Sequence, residues 1–241
     1  MEVRRLDLIL VEQFSISREY AKEVISQGRV SVNGKIISKA GAKIPLNAAI
    51  QADINPPEFV SRAGFKLKFA LEHFNIELTG LVCLDIGAST GGFTHCMLKN
   101  GAKKIIALDN GNGQLHPLLK EDERVISIEN TDIRNISLSE LPFIPQFITC
   151  DVSFISVTKI AYKIDELLPF GNAIILIKPQ FEVGRENLNK SGIAFSKKTH
   201  NIIIDKIKET FKSYNLNAVN LIESPIKGKN GNVEYLLLLK R

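Results

Sequence analysis

Leu81-Val82-Cys83-Leu84-Asp85-Ile86-Gly87-Ala88-Ser89-Thr90-Gly91-Gly92-Phe93 decides the fold of this chain. An apolar run of strand length ends on an acid, bends through glycines and enters a helical pattern, the layout of a ligand loop beyond a strand's carboxyl end. The loop lacks the Gly-Lys-Ser/Thr of a nucleotide P-loop, and its glycines do not match the G-x-G-x-x-G dinucleotide fingerprint. A strand-end carboxylate followed by bare backbone suits a ligand with an amino-acid end, whose ammonium needs acceptors while its body presses on the loop. Taken alone, such a loop reads equally well as a tight turn whose glycines serve packing.

Working outward, strand-like runs recur near Lys104 to Leu108, Val125 to Ile128, Phe147 to Cys150, Ala173 to Ile177 and Tyr235 to Leu239, with helical patterns between several of them. This alternation predicts an α/β fold, a doubly wound and mostly parallel sheet with helices on both faces. Asp109 ends the second of the strands, where a carboxylate can accept ribose hydroxyls, and Asp132 follows the third, where an adenine amine would be met. Each acid alone reads as a solvated loop residue. Together with Asp85 they form a pattern at successive strand ends, and S-adenosylmethionine is a ligand with the matching parts.

Towards the N-terminus the rhythm changes. Leu6, Ile9, Leu10 and Phe14 recur at helical spacing, as do Tyr20, Ala21, Val24 and Ile25, with Ser17 placed to cap the second helix and Gly28 to end it. Arg29 to Val32, Asn33-Gly34 and Lys35 to Ile37 read as a hairpin, and Ala40 to Ile54 as further short strand and turn. Asn55-Pro56-Pro57-Glu58 breaks any regular element. A small α+β domain over residues 1–57 and a larger domain over 58–241 are therefore expected.

The formal charge of +5 and pI near 9.0 suit an anionic partner without demanding one. Three cysteines, Cys83, Cys96 and Cys150, have neither a disulfide framework's parity nor a zinc site's spacing, so no metal is expected and a reducing cytoplasm is. No apolar run reaches membrane-span length and no signal-peptide h-region follows Arg4-Arg5, so neither secretion nor membrane insertion is expected.

Lys66, Asp151, Lys178 and Glu234 lie far apart in sequence, at a helix start, two strand ends and the entry to the last strand, positions that a doubly wound sheet can bring together. Lys178 leaves the apolar Ala173 to Ile177 run, where a buried ammonium needs a partner such as Asp151. A lysine removes a hydroxyl proton only when burial and a second cation favour its neutral form, which casts Lys66 in that second role. A structural ion-pair network is the competing reading, and on these residues alone the stronger one.

Val60-Ser61-Arg62-Ala63-Gly64-Phe65-Lys66-Leu67, Asp85 to Phe93, Asp151-Val152-Ser153-Phe154-Ile155-Ser156, Lys178-Pro179-Gln180-Phe181-Glu182 and Gly228 to Glu234 resemble, in order, the motifs of the TlyA family. The first fifty residues resemble an RNA-binding module shared with a small-subunit ribosomal protein. The resemblance implies a Rossmann-like methyltransferase domain of FtsJ/RrmJ type, with Lys66, Asp151, Lys178 and Glu234 as a catalytic tetrad. It implies S-adenosylmethionine at Asp85, Gly87, Ala88, Ser89, Gly91, Gly92, Phe93, Asp109 and Asp132, and 2'-O-methylation of cytidine in rRNA. Two departures stand out: Ala63-Gly64 where the family often has two glycines, and Gly192-Ile193-Ala194-Phe195-Ser196 where it commonly has Gly-Val-Val-Arg-Asp.

Residues 1–50 carry eight basic against five acidic side chains. Arg4, Arg18, Lys22 and Lys35, with Arg62 beyond the linker, are the expected RNA contacts, touching phosphates rather than reading bases. DNA is not an expected partner, and the lack of terminal extensions leans towards large-subunit rRNA. A ribosome-associated factor with vestigial catalysis and a membrane-active haemolysin are the competing functions; the intact tetrad opposes the first and the absence of a long amphipathic cationic helix the second.

Overall fold

The computed structural model describes residues 2–55, 58–183, 197–228 and 231–241, so Pro56-Pro57 of the expected linker and the departing segment 192–196 lie outside the described residues. Residues 1–58 and 59–241 form two compact units.

In the first unit, β1 (Val3–Arg5) pairs antiparallel with β4 (Lys43–Pro45), and β2 (Val30–Val32) lies between β3 (Lys35–Ile36) and β5 (Ile50–Ala52). Helices α1 (Leu6–Phe14) and α2 (Arg18–Ser26) bring Leu6, Leu10, Ala21, Val24 and Ile25 onto Val30, Val32 and Ile44 as a small core. The second helix has the expected ends: the Ser17 side chain accepts from the Tyr20 N–H, and Gly28 takes a left-handed conformation. Asn33 and Gly34 are both left-handed, which is what a two-residue hairpin turn matched to strand twist requires.

The second unit is built on a seven-stranded sheet. Its elements in chain order are α3 (Ala63–Phe74), β6 (Val82–Ile86), α4 (Gly92–Lys99), β7 (Lys104–Leu108), α5 (Pro117–Lys120), β8 (Val125–Ile128), β9 (Phe147–Cys150), α6 (Ala161–Leu167), β10 (Asn172–Ile177), α7 (Pro179–Glu182), α8 (Lys197–Ser213), β11 (Asn217–Glu223) and β12 (Tyr235–Lys240). The spatial order is β8-β7-β6-β9-β10-β12-β11: the first five strands are parallel, β12 runs antiparallel to β10, and β11, antiparallel to β12, returns to the common direction. Alternate residues of one strand feed opposite faces. Leu84 and Ile86 join the α6 and α8 side, with Ile164, Ile203, Ile207 and Phe211; Cys83 joins the α3 and α4 side, with Leu67, Leu71, Phe93 and Met97.

The chain runs from β6 outward to β7 and β8, then returns to place β9 on the other flank of β6. Loops leaving β6 and β9 therefore part in opposite directions, opening a crevice at the carboxyl edge where they diverge.

Candidate active site

That crevice is a cavity of about 650 Å³ lined by the loop after β6 (Gly87, Ser89), the loop after β7 (Asp109, Gly111, Gln114), the segment Thr131–Arg134 and the loop after β9, from Asp151 to Ile155. Its walls are tied to one another. Gly87 and Ala88 donate their N–H groups to the Leu108 carbonyl at 2.8 and 3.1 Å, hanging the first loop from the end of β7. Asp109 returns the contact: its Oδ2 accepts the Ser89 N–H at 2.7 Å and its Oδ1 the Gly111 N–H at 2.6 Å. The Ser89 hydroxyl donates to Gln114 Oε1 at 3.1 Å. Glu129 secures the next turn, accepting the Gln114 and Leu115 N–H groups, and its carboxyl is held down to about 2, chiefly by the Lys120 side chain.

Asp85 sits behind this wall. Fully buried at the end of β6, it accepts hydrogen bonds from the hydroxyls of Thr94 at 2.6 Å and Thr149 at 2.8 Å, joining α4 and β9 to β6. Burial pushes its carboxyl up to about 6 against the pull of those two hydroxyls. Burial likewise lifts the Cys83 and Cys150 thiols to about 12, which removes either as a nucleophile at neutral pH.

The four expected catalytic positions form two lysine–carboxylate pairs, of which Asp151 alone lines the cavity. From the first turn of α3, Lys66 donates from Nζ to Glu234 Oε2 at 2.5 Å, and both residues are buried. At the end of β10, Lys178 Nζ lies 2.6 Å from Asp151 Oδ1 and donates to the Ser153 hydroxyl at 2.8 Å. The approach to Asp151 falls outside hydrogen-bonding directions, so the buried Oδ1 keeps unused acceptor capacity. Lys178 also stands 5.9 Å from the centre of the Phe181 ring. The structure thus joins the four expected positions two by two.

Among the expected cofactor positions, Gly87, Ser89, Asp109 and Asp132 line the cavity. Asp85, Ala88, Gly91, Gly92 and Phe93 do not; they shape the loop from behind. A Cβ on Gly91 would meet Leu119 and Leu115, one on Gly92 would meet Ser61 and Gly64 at the start of α3, and Phe93 is buried in the α3–α4 core. Asp132 caps a short 3-10 turn and is bridged by Arg134, whose Nε lies 2.9 Å from its Oδ1. Gln114, Arg134 and Ser153 were not singled out as site residues from sequence; the nearest signal is Ser153's place two residues past a strand-end acid.

The expected RNA contacts are all exposed, but two are engaged. Arg4 pairs with Glu12, and Arg18 donates to Asp7 Oδ2 at 3.2 Å. Buried Asp7 takes Arg5 as well, at 2.9 Å on each oxygen, and this Arg5 guanidinium above all holds the Asp7 carboxyl down to about 2. Arg5, not among the expected RNA contacts, therefore stands beside Arg18 on one anchor. Lys22 and Lys35 are exposed on α2 and β3, and Arg62 precedes α3 in the second unit.

Residues 59–241 match the model of the FtsJ-like methyltransferase family, and residues 4–50 match the S4 domain. The 23S rRNA (cytidine-2'-O)-methyltransferase TlyA of Campylobacter jejuni is 40% identical over 96% of this chain and 97% of its own length. The chain belongs to the TlyA group of FtsJ-like methyltransferases. Other relatives of this chain are Hemolysin A of Brachyspira hyodysenteriae, 42% identical over 93% of this chain and 94% of its own, and the 16S/23S rRNA (cytidine-2'-O)-methyltransferase TlyA of Mycobacterium tuberculosis, 32% identical over 98% and 89%. The expectation of a Rossmann-like methyltransferase sheet behind an RNA-binding module is borne out: this TlyA-group chain is an enzyme with an FtsJ-like domain and an S4 domain. Among its described residues no helix is long and apolar enough to cross a membrane.

Proposed function

We propose that this chain transfers the methyl group of S-adenosylmethionine to the ribose 2'-hydroxyl of a cytidine in rRNA, acting in the cytoplasm on ribosomal subunits with the large subunit preferred. The observation that carries this reading is the pairing of Lys178 with Asp151 on the rim of the crevice between β6 and β9. The donor set fits the cofactor: Asp109 and Asp132 offer carboxylate oxygens to ribose hydroxyls and an adenine amine, and Asp151 Oδ1 has acceptor capacity to spare. Gly87 and Ser89 form the floor, while Asp85, Ala88, Gly91, Gly92 and Phe93 keep that floor in shape.

S-adenosylmethionine, when bound, supplies an electrophilic methyl on a good leaving group, so the protein's task is to place the acceptor oxygen and remove its proton. Lys178 is the base. The Ser153 hydroxyl accepts from its Nζ and the Asp151 carboxylate stands beside it as an ion-pair partner, which holds the side chain and leaves Nζ room for the ribose hydroxyl. Lys66 and Glu234 form a second pair that orients the acceptor ribose. Arg4, Arg18, Lys22, Lys35 and Arg62 hold rRNA by its phosphates, with the Asp7 anchor fixing where Arg18 and Arg5 point.

Mapping 2'-O-methyl groups by resistance to alkaline hydrolysis, in ribosomes from cells with and without the gene, tests the reading. The expected result is one cytidine in large-subunit rRNA that loses protection on deletion. Loss confined to small-subunit rRNA would overturn the subunit preference, and no loss in either would overturn the function.

A further inference from the structure

Three successive contacts join the helix after Lys178 to the loop after Asp151. Lys178 itself reaches the Ser153 hydroxyl at 2.8 Å. Three residues on, the Phe181 ring meets that of Phe154, with centroids 5.2 Å apart and planes inclined by 46°. At the end of α7, Glu182 Oε1 accepts the Val157 N–H at 2.9 Å and Oε2 accepts the Ser156 hydroxyl at 2.5 Å. Residues 178, 181 and 182 thus grip 153, 154 and 156–157 in order, like the teeth of a zip.

The gripped loop needs holding. It walls the cavity from Asp151 to Ile155, yet among the described residues no main-chain to main-chain hydrogen bond ties Ser153, Phe154 or Ile155. Phe154 is 91% exposed and held at φ +64°, a backbone region that an aromatic residue occupies only when its surroundings over-determine it. Upstream, Asp151 is fixed through its N–H on the Ile86 carbonyl. Downstream, Ser156 caps the short turn Val157–Lys159 by accepting the Thr158 N–H, and Glu182 holds Ser156 in that pose. Both oxygens of a half-buried carboxylate are committed to one end of one loop, with Lys206 of α8 the nearby charged group. An isolated buried carboxylate is costly, and charge-assisted bonds of this kind are the strong ones.

Resting on the methyltransferase reading, we infer that Glu182 is a positioning residue for methyl transfer: its carboxylate anchors the loop from Ser153 to Ser156, so that the cavity wall and the second acceptor of Lys178 stand in place. A carboxylate that served stability alone would change the melting temperature and leave the rate per folded molecule untouched.

The test uses the full chain carrying Glu182→Ala, Glu182→Gln or Ser156→Ala, with single-turnover methyl transfer to ribosomal subunits measured at saturating cofactor, well below each variant's melting temperature. Glu182→Ala is expected to lower that rate by roughly tenfold to a hundredfold, the scale of a 1 Å misplacement. Glu182→Gln, whose amide oxygen still accepts the Val157 N–H and whose N–H meets the Ser156 oxygen, is expected to recover most of it. Ser156→Ala keeps the carboxylate and one of its two bonds, so an intermediate loss is expected and remains readable should Glu182→Ala fail to fold. A folded Glu182→Ala variant, or a Ser156→Ala variant, with the parent rate would overturn the inference alone. A parent chain that transfers no methyl group would overturn the underlying function as well.

Discussion

Gly87 and the main chain of Asp151 approach so closely that a Cβ on residue 87 would stand 2.7 Å from the Asp151 carbonyl oxygen. The glycine also takes φ +79°, so two independent constraints exclude a side chain where the ligand loop crosses the strand end carrying Asp151. Gly87→Ala must therefore push apart the floor of the cavity and the partner of Lys178. The expected outcome is a loss of about 1–3 kcal/mol in stability, from backbone strain, together with a marked fall in methyl transfer. Thermal melts and incorporation of labelled methyl groups check the two effects on one sample.

Under the proposed mechanism Lys178 is the base, so its removal should spare the cofactor site while stopping the chemistry. Lys178→Ala is expected to lower the single-turnover rate by a factor of roughly 100 to 10,000, the usual range for a general base. Lys178→Arg should fail as well, because a guanidinium keeps its proton. Equilibrium cofactor binding near the parent value, beside the lost rate, completes the expected pattern.

The buried pair of Lys66 and Glu234 makes a different prediction. Glu234 is 3% exposed, so Lys66→Met strands a carboxylate away from water and is expected to cost about 3–5 kcal/mol. Removing both charges in Lys66→Met/Glu234→Leu should recover much of that stability without recovering activity. Gly228 belongs to the same unit, since a Cβ there would fall 2.0 Å from Glu234 Oε1. Denaturant unfolding of Lys66→Met, the double variant and Gly228→Ala orders the three.

Asp85 should make stability depend on pH in a direction opposite to that of most carboxylates. Its carboxyl is raised to about 6 in the folded chain, whereas the unfolded value lies near 4. Between those values the folded state binds more protons, so Asp85 makes stability fall as pH rises through the window, by about 3 kcal/mol, and level off above it. Asp7, held down to about 2 by Arg5 first and then by Arg18, works in the usual sense: its contribution is present above pH 4 and is lost on acidification through pH 2. Melting temperatures of the parent and Asp85→Asn between pH 4 and 7 test the first claim, with a flatter curve expected for the variant.

The parallel sheet was legible because its strands are buried on both faces and announce themselves as apolar runs ending in acids or loops. Strand β11 was not: Asn217-Ala218-Val219-Asn220-Leu221-Ile222-Glu223 is an exposed edge whose register depends on β12, and its own alternation is weak. β1, three exposed residues, exists through its partner β4 in the same way. Within the candidate site, residue types at strand ends pointed to the cavity, but periodicity cannot tell a glycine that faces a ligand from one that faces a helix, and Gly91 and Gly92 are of the second kind. Charge counts over residues 1–50 likewise could not show that Arg18 would be shared with Arg5 on buried Asp7, a contact that spans both helices. The pairing of Glu182 with Ser156 spans 26 positions and two elements, and is visible only once the chain is folded.

Methyl transfer by the purified chain tests the central claim most directly. Incubated with labelled S-adenosylmethionine and, separately, each ribosomal subunit, the chain should place label on rRNA of the large subunit, and digestion to nucleosides should return it as 2'-O-methylcytidine. Label recovered on a base, on another nucleoside, or on neither subunit would contradict the account.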